Sequence, residues 1–348
     1  MQPLDYTLSF NTPAFLGNAE QNAQWRTPPI KALLRQWWRV AYAADQGFNV
    51  NVAAMRHEEG LLFGNAWLND EFCKSRVRMR LGRWDKPKIG NLGNIGMVCH
   101  PEVNRTTLPN CPNGGVGKMV DSGQYLGYGP FQKANAAIQA GESATLSLAV
   151  PEADAPLIKR ALWLMNRFGT LGGRSRNGWG SFSLRPLPPG EGWGEGNLPL
   201  RPWQDCLQLD WPHAIGTANN SPLIWQTQPF GDWRAVMQRL AQLKVGLRTQ
   251  FAFPNAAPGP VHQRHWLSYP VTNHRVDAWG NNARLPNTLR FKVRRTVANQ
   301  FVGVIVHVPH TPPAQFHSNA ETLPQVWSQV YNFLDAQAQT QTLTRIAD

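Results

Sequence analysis

Residues 172–182 read Gly-Gly-Arg-Ser-Arg-Asn-Gly-Trp-Gly-Ser-Phe, and this stretch lies between a predicted helix and a predicted strand. Its glycines allow positive φ angles and let the backbone approach a partner closely. Arg174 and Arg176 carry planar guanidinium groups that suit bidentate contacts to phosphate oxygens. Trp179 offers a flat ring on which a nucleic-acid base can stack. The combination predicts a nucleic-acid-binding loop. Its candidate contacts are Gly172, Gly173, Arg174, Ser175, Arg176, Asn177, Gly178 and Trp179.

Two other interpretations of this loop compete with nucleic-acid binding. A phosphate loop of the Walker type needs Gly-x-x-x-x-Gly-Lys followed by Ser or Thr. Gly173 and Gly178 have this glycine spacing, but Trp179 occupies the position of the lysine. We therefore expect neither nucleotide hydrolysis nor a bound cofactor. The second interpretation is a tight turn that leads into a strand, with both arginines simply solvated.

The composition favours a polyanionic partner. The chain has 348 residues, with 34 Lys plus Arg against 22 Asp plus Glu and a formal net charge of +12. A basic excess of this size promotes binding to polyanions through counterion release, but it does not distinguish RNA, DNA and a membrane surface. The arginines are spread over helix, strand and loop, so a membrane is the least favoured of these partners.

The cysteines and the N-terminal residues predict a cytoplasmic protein. The first ten residues alternate as in a strand and do not resemble a signal peptide, and no apolar run reaches the ~20 residues that span a bilayer. Cys73, Cys99, Cys111 and Cys206 are scattered, which suits reduced thiols. As an alternative, Cys99, His100 and Cys111 could supply three of four zinc ligands, although their spacing matches no common zinc finger.

A basic ridge is predicted on the first helix. The helix starts near Pro28 and has an apolar stripe on one face, while Lys31, Arg35 and Arg39 recur every four residues on another face. A ridge with this spacing either contacts phosphates or is a solvated helix surface.

A second basic surface is predicted on a strand. The segment 75–81 alternates Arg76, Arg78 and Arg80 with apolar residues, which is the period of a half-buried strand with an exposed arginine face. Like charges on one strand face repel each other, so this face requires an anionic partner or nearby carboxylates.

The chain divides into two halves with similar patterns. A linker rich in Pro and Gly is predicted at 186–203, between an N-terminal domain at 1–185 and a C-terminal domain at 204–348. A loop-rich insertion is predicted at about 84–130. Strands alternate with helices in both halves, which predicts an α+β fold of two tandem ferredoxin-like (RRM-like) domains.

The second half is expected to contain its own strands, helices and a frayed end. The predicted elements are a strand at 206–211, a helix at 233–251, a hairpin of 288–296 with 301–308, and a helix at 322–334. The residues from Asp335 onward are polar and are expected to fray.

An alternative function is the cleavage of RNA without a metal ion. This chemistry needs a general base for the 2′-hydroxyl and an acid for the leaving oxygen, usually histidines. The candidates are His57, and His262 with His265, but their spacing places no pair on one face of one element.

A third possibility is a subunit that acts only in assembly. The chain contains 15 tryptophans, and tryptophan is enriched at the energetic centres of protein interfaces. Trp84, Trp193 and Trp279 lie in predicted loops and are the better interface candidates. Assembly and RNA binding do not exclude each other.

Several motifs follow one another along most of the chain. They are Phe10-x-Thr12-Pro13-x-Phe15-Leu16-Gly17, Arg26-x-Pro28-Pro29-Ile30-Lys31-x-x-Leu34-Arg35-x-Trp37-Trp38-Arg39, Leu62-Phe63-Gly64 ahead of Ser75-Arg76-Val77, Tyr125-Leu126-Gly127-Tyr128-Gly129, the 172–180 loop, and Arg284-Leu285-Pro286-Asn287 ahead of Leu289-Arg290-Phe291-Lys292-Val293. In this order they resemble the RAMP superfamily of CRISPR effector subunits, and most closely the first subunit of the type III-B Cmr module.

This resemblance implies a function as well as a fold. It implies two RRM-like domains in a non-catalytic RNA-binding subunit of an RNA-guided antiviral effector complex. The subunit would lie near the 3′ end of the guide, with guide RNA, target RNA and other RAMP subunits as partners. Target cleavage would belong to a different subunit, and neither a cofactor nor a membrane is implied.

Overall fold

The first half of the chain forms one four-stranded sheet and the second half forms another. This computed structural model describes residues 1–66, 72–88, 92–133, 137–186, 198–253, 259–280, 282–318, 321–339 and 342–346. The strands are β1 Gln2–Phe10, β2 Arg78–Leu81, β3 Met97–His100, β4 Lys118–Asp121, β5 Ser143–Val150, β6 Phe182–Arg185, β7 Leu200–Pro202, β8 Ile215–Ala218, β9 Ser221–Pro222, β10 Ile224–Thr227, β11 Leu289–Arg295, β12 Phe301–His307 and β13 Leu343–Arg345. The helices are α1 Thr27–Asp45, α2 Val52–Phe63, α3 Ser122–Gly127, α4 Ala155–Phe168, α5 Trp203–Cys206, α6 Trp233–Thr249 and α7 Thr322–Gln339.

Both four-stranded sheets have the ferredoxin-like order. The first is β2-β5-β1-β6 and the second is β11-β12-β10-β13, with antiparallel neighbours throughout. Along the chain, each follows the β-α-β-β-α-β sequence, in which α1 and α4 serve the first sheet and α6 and α7 serve the second. The predicted α+β fold with ferredoxin-like units is therefore confirmed.

Strand β1 shows the alternation that its sequence predicts. Leu4, Tyr6, Leu8 and Phe10 are buried on one face, and Tyr6 pairs with Leu146 of β5. These residues share a hydrophobic cluster with α1 and α4, which cover this face of the sheet. The opposite face of β1 and β5 is open.

The predicted helix at the start of the chain is α1. Pro28 and Pro29 lie in its first turn, where a missing amide hydrogen costs no helical hydrogen bond. All members of the predicted apolar stripe are buried, namely Ile30, Leu33, Leu34, Trp37, Trp38 and Ala41.

The two halves share their cores. Val302, Val304 and Val306 of β12 belong to the hydrophobic cluster that contains α1 and α4. On the other face of the same sheet, Phe291 and Ile305 belong to the cluster that contains α6 and α7. The second sheet is therefore covered on both faces, whereas the first sheet is covered on one.

Two predictions at the junction of the halves are corrected by the structure. The predicted strand at 206–211 is wrong, because the chain after Pro202 turns into α5 and Leu207 keeps helical angles of φ −76° and ψ 0°. The end of the predicted 186–203 linker is also structured, because β7 pairs in parallel with β8. Residues 187–197 of that linker, including Trp193, lie outside the described residues.

The predicted fraying from Asp335 is also wrong. Helix α7 continues to Gln339, and β13 pairs with β10. Arg345 fixes this last strand, because its guanidinium donates to the carbonyl oxygens of Pro222 and Ala218 at 2.9 Å each. The terminal residues are polar, and hydrogen bonds to distant residues hold them in place. The local sequence alone does not predict these bonds.

The predicted 84–130 insertion contains a hairpin, β3 with β4, and the short helix α3. Cys99 and Cys111 form a disulfide bond in this hairpin, so the expectation that all cysteines are reduced is wrong. Cys73 and Cys206 are free thiols. Among the described residues, none of the helices is both long and apolar enough to cross a membrane.

Candidate nucleic-acid interface

The glycine-rich loop connects α4 to β6 and packs against the segment that follows β1. Thr12 Oγ1 donates to the carbonyl oxygen of Gly178 at 2.8 Å, and the Gly180 amide donates to Pro13 at 2.8 Å. Gly172 has a φ of +91°, and a Cβ there would lie 2.5 Å from the carbonyl oxygen of Phe15. Glycine is required at this position by both its backbone angle and the close contact.

The motif around α3 also contacts this loop. Asn177 Nδ2 donates to the carbonyl oxygen of Leu126 at 2.8 Å, and Arg174 Nε donates to that of Tyr128 at 3.0 Å. A Cβ at Gly127 would lie 2.9 Å from the indole nitrogen of Trp179, so glycine permits the close approach of α3. Motifs that are distant in sequence therefore form one site.

The second half of the chain reaches the loop through Arg176. Its Nη1 donates to the carbonyl oxygen of Asn287 at 2.8 Å, and its own carbonyl oxygen accepts from the amide of Phe291 at 3.1 Å. Burial lowers the pKa of the Arg176 side chain. The Arg176 guanidinium therefore connects the two halves, and its contact with a phosphate stays a prediction.

The predicted stacking role of Trp179 is also contradicted. The ring is fully buried, with ring centroids of Phe15, Phe131 and Trp233 at 5.1, 5.6 and 6.3 Å. A base cannot reach it. The aromatic side chain exposed next to the loop is Tyr128, at 63%.

The basic ridge of α1 faces a carboxylate on α2. The buried Glu59 accepts from Arg39 Nε and Nη2 at 2.8 Å each and from Arg35 Nε at 3.3 Å. Burial raises the pKa of Glu59, but the hydrogen bonds from Arg39 and Arg35 outweigh it, and the pKa falls below its ordinary value. Burial, followed by the charge of Arg35, lowers the pKa of Lys31. Arg35 and Arg39 therefore share a single carboxylate within the protein, and phosphate binding by the ridge stays a prediction.

The arginine strand is exposed as its pattern predicts. Arg78 and Arg80 point outward from β2, an edge strand of the first sheet. Within the part of the chain that the structure describes, neither side chain has a hydrogen bond or an ion pair. Arg76 is also exposed and lies 3.5 Å from Asp154. This strand presents unmatched positive charge at the rim of the open sheet face.

A cation cluster on α6 has no counterpart among the sequence predictions. Lys244 Nζ donates to Asn177 Oδ1 at 2.7 Å and lies 5.6 Å from the ring of Tyr125. One turn later, Arg248 Nη1 donates to Ser268 Oγ at 2.8 Å. Two cations four residues apart on a mostly buried helix were the only sequence signal for this cluster.

The predicted catalytic histidines serve local structure. His265 is buried; its Nδ1 accepts from the amide of His262 at 2.9 Å and its Nε2 lies 3.0 Å from the carbonyl oxygen of His274. His262 Nδ1 accepts from the amide of Arg264 at 3.3 Å. His57 lies on α2, far along the chain from both.

The alternative zinc site is contradicted. The sulfur atoms of Cys99 and Cys111 are bonded to each other, so neither is available as a thiolate ligand. His100 is buried, and its Nδ1 accepts from the amide of Glu102 at 3.4 Å. No three His, Cys or carboxylate side chains within the described ranges are grouped in a way that could hold a metal ion.

The chain belongs to the RAMP superfamily, whose sequence profile matches residues 7–183, just over half of the chain. In fold, it is similar to Cmr1 from Pyrococcus furiosus, with a TM-score of 0.52 and 15% identity over 99% of this chain and 98% of that one. It is also similar to a chain of the type III-B Cmr-beta complex bound to cognate target RNA, with a TM-score of 0.45 and 13% identity over 94% and 99%. No curated protein sequence matches the chain.

Proposed function

We propose that this protein is a non-catalytic, RNA-binding subunit of an RNA-guided effector complex of the type III, Cmr-type CRISPR class. Its membership in the RAMP superfamily supports this assignment. So does the net charge of +12, which favours a polyanionic partner. The partners are guide RNA, target RNA or both, near the 3′ end of the guide, and the place of action is the cytoplasm.

The observation that carries the proposal is the unmatched charge of Arg78 and Arg80. By contrast, Arg35, Arg39 and Arg264 each face a carboxylate of the protein. Cations that repel each other on an exposed strand, without a matching acid, are stabilised by an external anion. A phosphate backbone running along the edge of the first sheet supplies such an anion.

The open face of the first sheet supports a backbone contact as the mode of the proposed RNA binding. Its outward residues on β1 and β5 are Pro3, Asp5, Thr7, Ser9, Ser143, Thr145, Ser147 and Ala149. None of these is aromatic, so this face cannot stack bases as an RRM sheet does. The contact is therefore to the backbone and independent of sequence, which suits a complex in which base pairing with the guide reads the sequence.

Contact with neighbouring RAMP subunits is the second part of the proposal. Trp84 is 74% exposed, beyond the end of β2, and is the side chain best suited to insert into a neighbour. Trp279 is instead surrounded by Trp266, Tyr269 and Phe316, with ring centroids within 5.3 Å. It serves the core of the second half.

The absence of catalysis is also a proposal. Both ring nitrogens of His265 lie within hydrogen-bond distance of backbone groups, so this side chain is poorly placed to exchange a proton with RNA. Labelled single-stranded RNA, incubated with the chain in chelator, is expected to remain intact. Cleavage that disappears in His57→Ala or His262→Ala would instead establish the endoribonuclease alternative.

The proposed RNA contact is tested with the Arg78→Ala/Arg80→Ala variant across a salt series. The slope of log affinity for single-stranded RNA against log salt is expected to fall by about 0.7 for each phosphate that the variant no longer binds. The matched control is Arg234→Ala/Arg275→Ala, which removes the same charge from arginines that lie beside Asp232 and Asp277. Equal salt slopes for both variants would show that only net charge matters and would contradict the proposal that Arg78 and Arg80 contact RNA.

A further inference from the structure

A cluster of four cations lies at the seam between the two halves of the protein. We call it the seam cluster; its members are Arg174 of the glycine-rich loop, Lys244 and Arg248 of α6, and Arg264. The positive charges of Arg248 and Arg174 act on Lys244, and that of Arg264 acts on Arg248. Among the described residues, Glu102 is the carboxylate that acts on this cluster.

Glu102 matches only part of this charge. Arg264 Nη1 donates to both carboxylate oxygens of Glu102, at 2.6 and 2.7 Å, which forms a close ion pair. Arg248 and Lys244 have neutral partners instead, namely Ser268 Oγ and Asn177 Oδ1. Arg174 donates to the carbonyl oxygen of Tyr128. These three cations are held in place by hydrogen bonds without being neutralised.

The seam also holds polar atoms that have no partner. The hydroxyl of Tyr125 and the Nε of the buried Arg264 are both shielded and lack a hydrogen-bond partner within the described residues. A buried donor without an acceptor destabilises the folded protein. Two unused donors beside unmatched cations favour an acceptor with several oxygen atoms and negative charge.

Burial makes the unmatched charge costly. It lowers the pKa of Lys244 well below the ordinary value, with the charges of Arg248 and Arg174 adding to the effect. Burial is also the main reason why the pKa of Arg248 is lowered. A buried cation without a counterion destabilises the free protein.

We propose that the seam cluster binds a phosphate group, held by Lys244 and Arg248 from α6 and by Arg174 from the glycine-rich loop. A phosphate has the charge to offset these cations and enough oxygens to accept a hydrogen bond from each of the three side chains. If the proposed function holds, the phosphate is part of an RNA backbone. Only this source of the phosphate rests on the proposed function, and the phosphate site itself does not. The site therefore joins both halves of the protein to one ligand.

The test measures thermal unfolding in sodium phosphate and in sodium chloride of equal ionic strength. The wild-type melting temperature is expected to be higher in phosphate by about 2 °C at tenfold excess over the dissociation constant. Lys244→Met and, independently, Arg248→Met are expected to lose this difference. Lys159→Met on α4 removes the same charge away from the seam and is expected to retain it.

The direction in which each variant shifts the melting temperature separates a binding role of the cations from a structural role. In chloride, Lys244→Met is expected to be at least as stable as the wild type, because it removes repulsion. If both α6 variants are equally destabilised in the two salts, the cations are structural and the proposal is overturned. No stabilisation of the wild type by phosphate overturns it as well.

A second arm of the experiment identifies the source of the phosphate. Lys244→Met is expected to weaken binding of single-stranded RNA by about tenfold, as the loss of a charged hydrogen bond does. Unchanged RNA affinity, together with the lost effect of inorganic phosphate, assigns the site to a free phosphate. If the wild type binds no RNA at all, the proposed function fails while the phosphate result stands.

Discussion

Strands β2 and β11 have almost the same charge pattern and opposite environments. Arg76, Arg78 and Arg80 alternate with apolar residues on and next to β2, as Arg290, Lys292 and Arg294 alternate on β11. The β2 cations are exposed, and two have no partner within the described residues. On β11, Arg290 is buried and Lys292 is fully buried.

The difference arises from what lies against each strand. Lys292 Nζ donates to the carbonyl oxygens of Asn166 and Gly169 at 2.7 Å each, at the C-terminal end of α4. This end of a helix carries partial negative charge and carbonyls without helical partners, both of which suit an ammonium group. Arg290 lies 5.3 Å from the ring of Trp37. Alternating cations are therefore exposed without a protein partner on β2, whereas on β11 they bind other parts of the protein.

The largest effect that this comparison predicts is on stability, at Lys292. Lys292→Ala leaves the α4 carbonyls without their donor and opens a cavity beside Phe182, so it is expected to lower the free energy of unfolding by about 3 kcal/mol. Urea titration of both proteins measures the change. A loss below about 0.5 kcal/mol would mean that β11 does not hold the halves together.

A smaller effect is predicted for the ridge of α1, where the half-exposed Arg35 and Arg39 share the carboxylate of Glu59. Glu59→Gln is expected to cost about 1 kcal/mol at neutral pH, because solvent weakens these ion pairs. The pKa of Glu59 is below its ordinary value of 4.5 in the folded protein, so this stabilisation is complete above that pH and is lost as the pH falls through the lowered pKa.

The pH dependence of the Glu59→Gln effect separates the contribution of charge from that of packing. The difference in the free energy of unfolding between wild type and Glu59→Gln, followed by urea titration from pH 7 to about pH 3, is expected to shrink at the acidic end. A difference that stays constant over this range would show that Glu59 contributes through packing and not through its charge.

The smallest effect on stability is predicted for β2 itself. Arg78→Ala/Arg80→Ala is expected to change the free energy of unfolding by no more than about 0.5 kcal/mol, because neither side chain has a partner to lose. The same urea titration measures it. A loss approaching that of Lys292→Ala would erase the distinction between the two strands.

Local patterns predicted the elements of this fold well. The alternation of β1 and the apolar stripe of α1 each depend on residues within one element, and both were confirmed. The strand order of the sheets followed from the order of helices and strands. The short strand β13 was missed, because Arg345 contacts Pro222 and Ala218, which lie more than a hundred residues earlier.

The candidate site was predicted only in its location. The glycine-rich loop lies where several motifs meet, but groups from other parts of the chain, including Trp233 and Asn287, bury Trp179 and partly cover Arg176. Burial by distant segments cannot be read from a loop of eleven residues, numbers 172–182. Lys244 was missed for the same reason, since only the folded chain brings α6 to the loop.

In our proposal the β2 arginines bind RNA, whereas the β11 cations stabilise the fold. Modification of arginines by phenylglyoxal, with and without single-stranded RNA and quantified at each residue by mass spectrometry, tests both halves of this assignment at once. Arg78 and Arg80 are expected to react in the free protein and to be protected by RNA, whereas Arg234 reacts in both states and Arg290 in neither. If Arg78 and Arg80 react equally with RNA bound, they do not contact it and the assignment is contradicted.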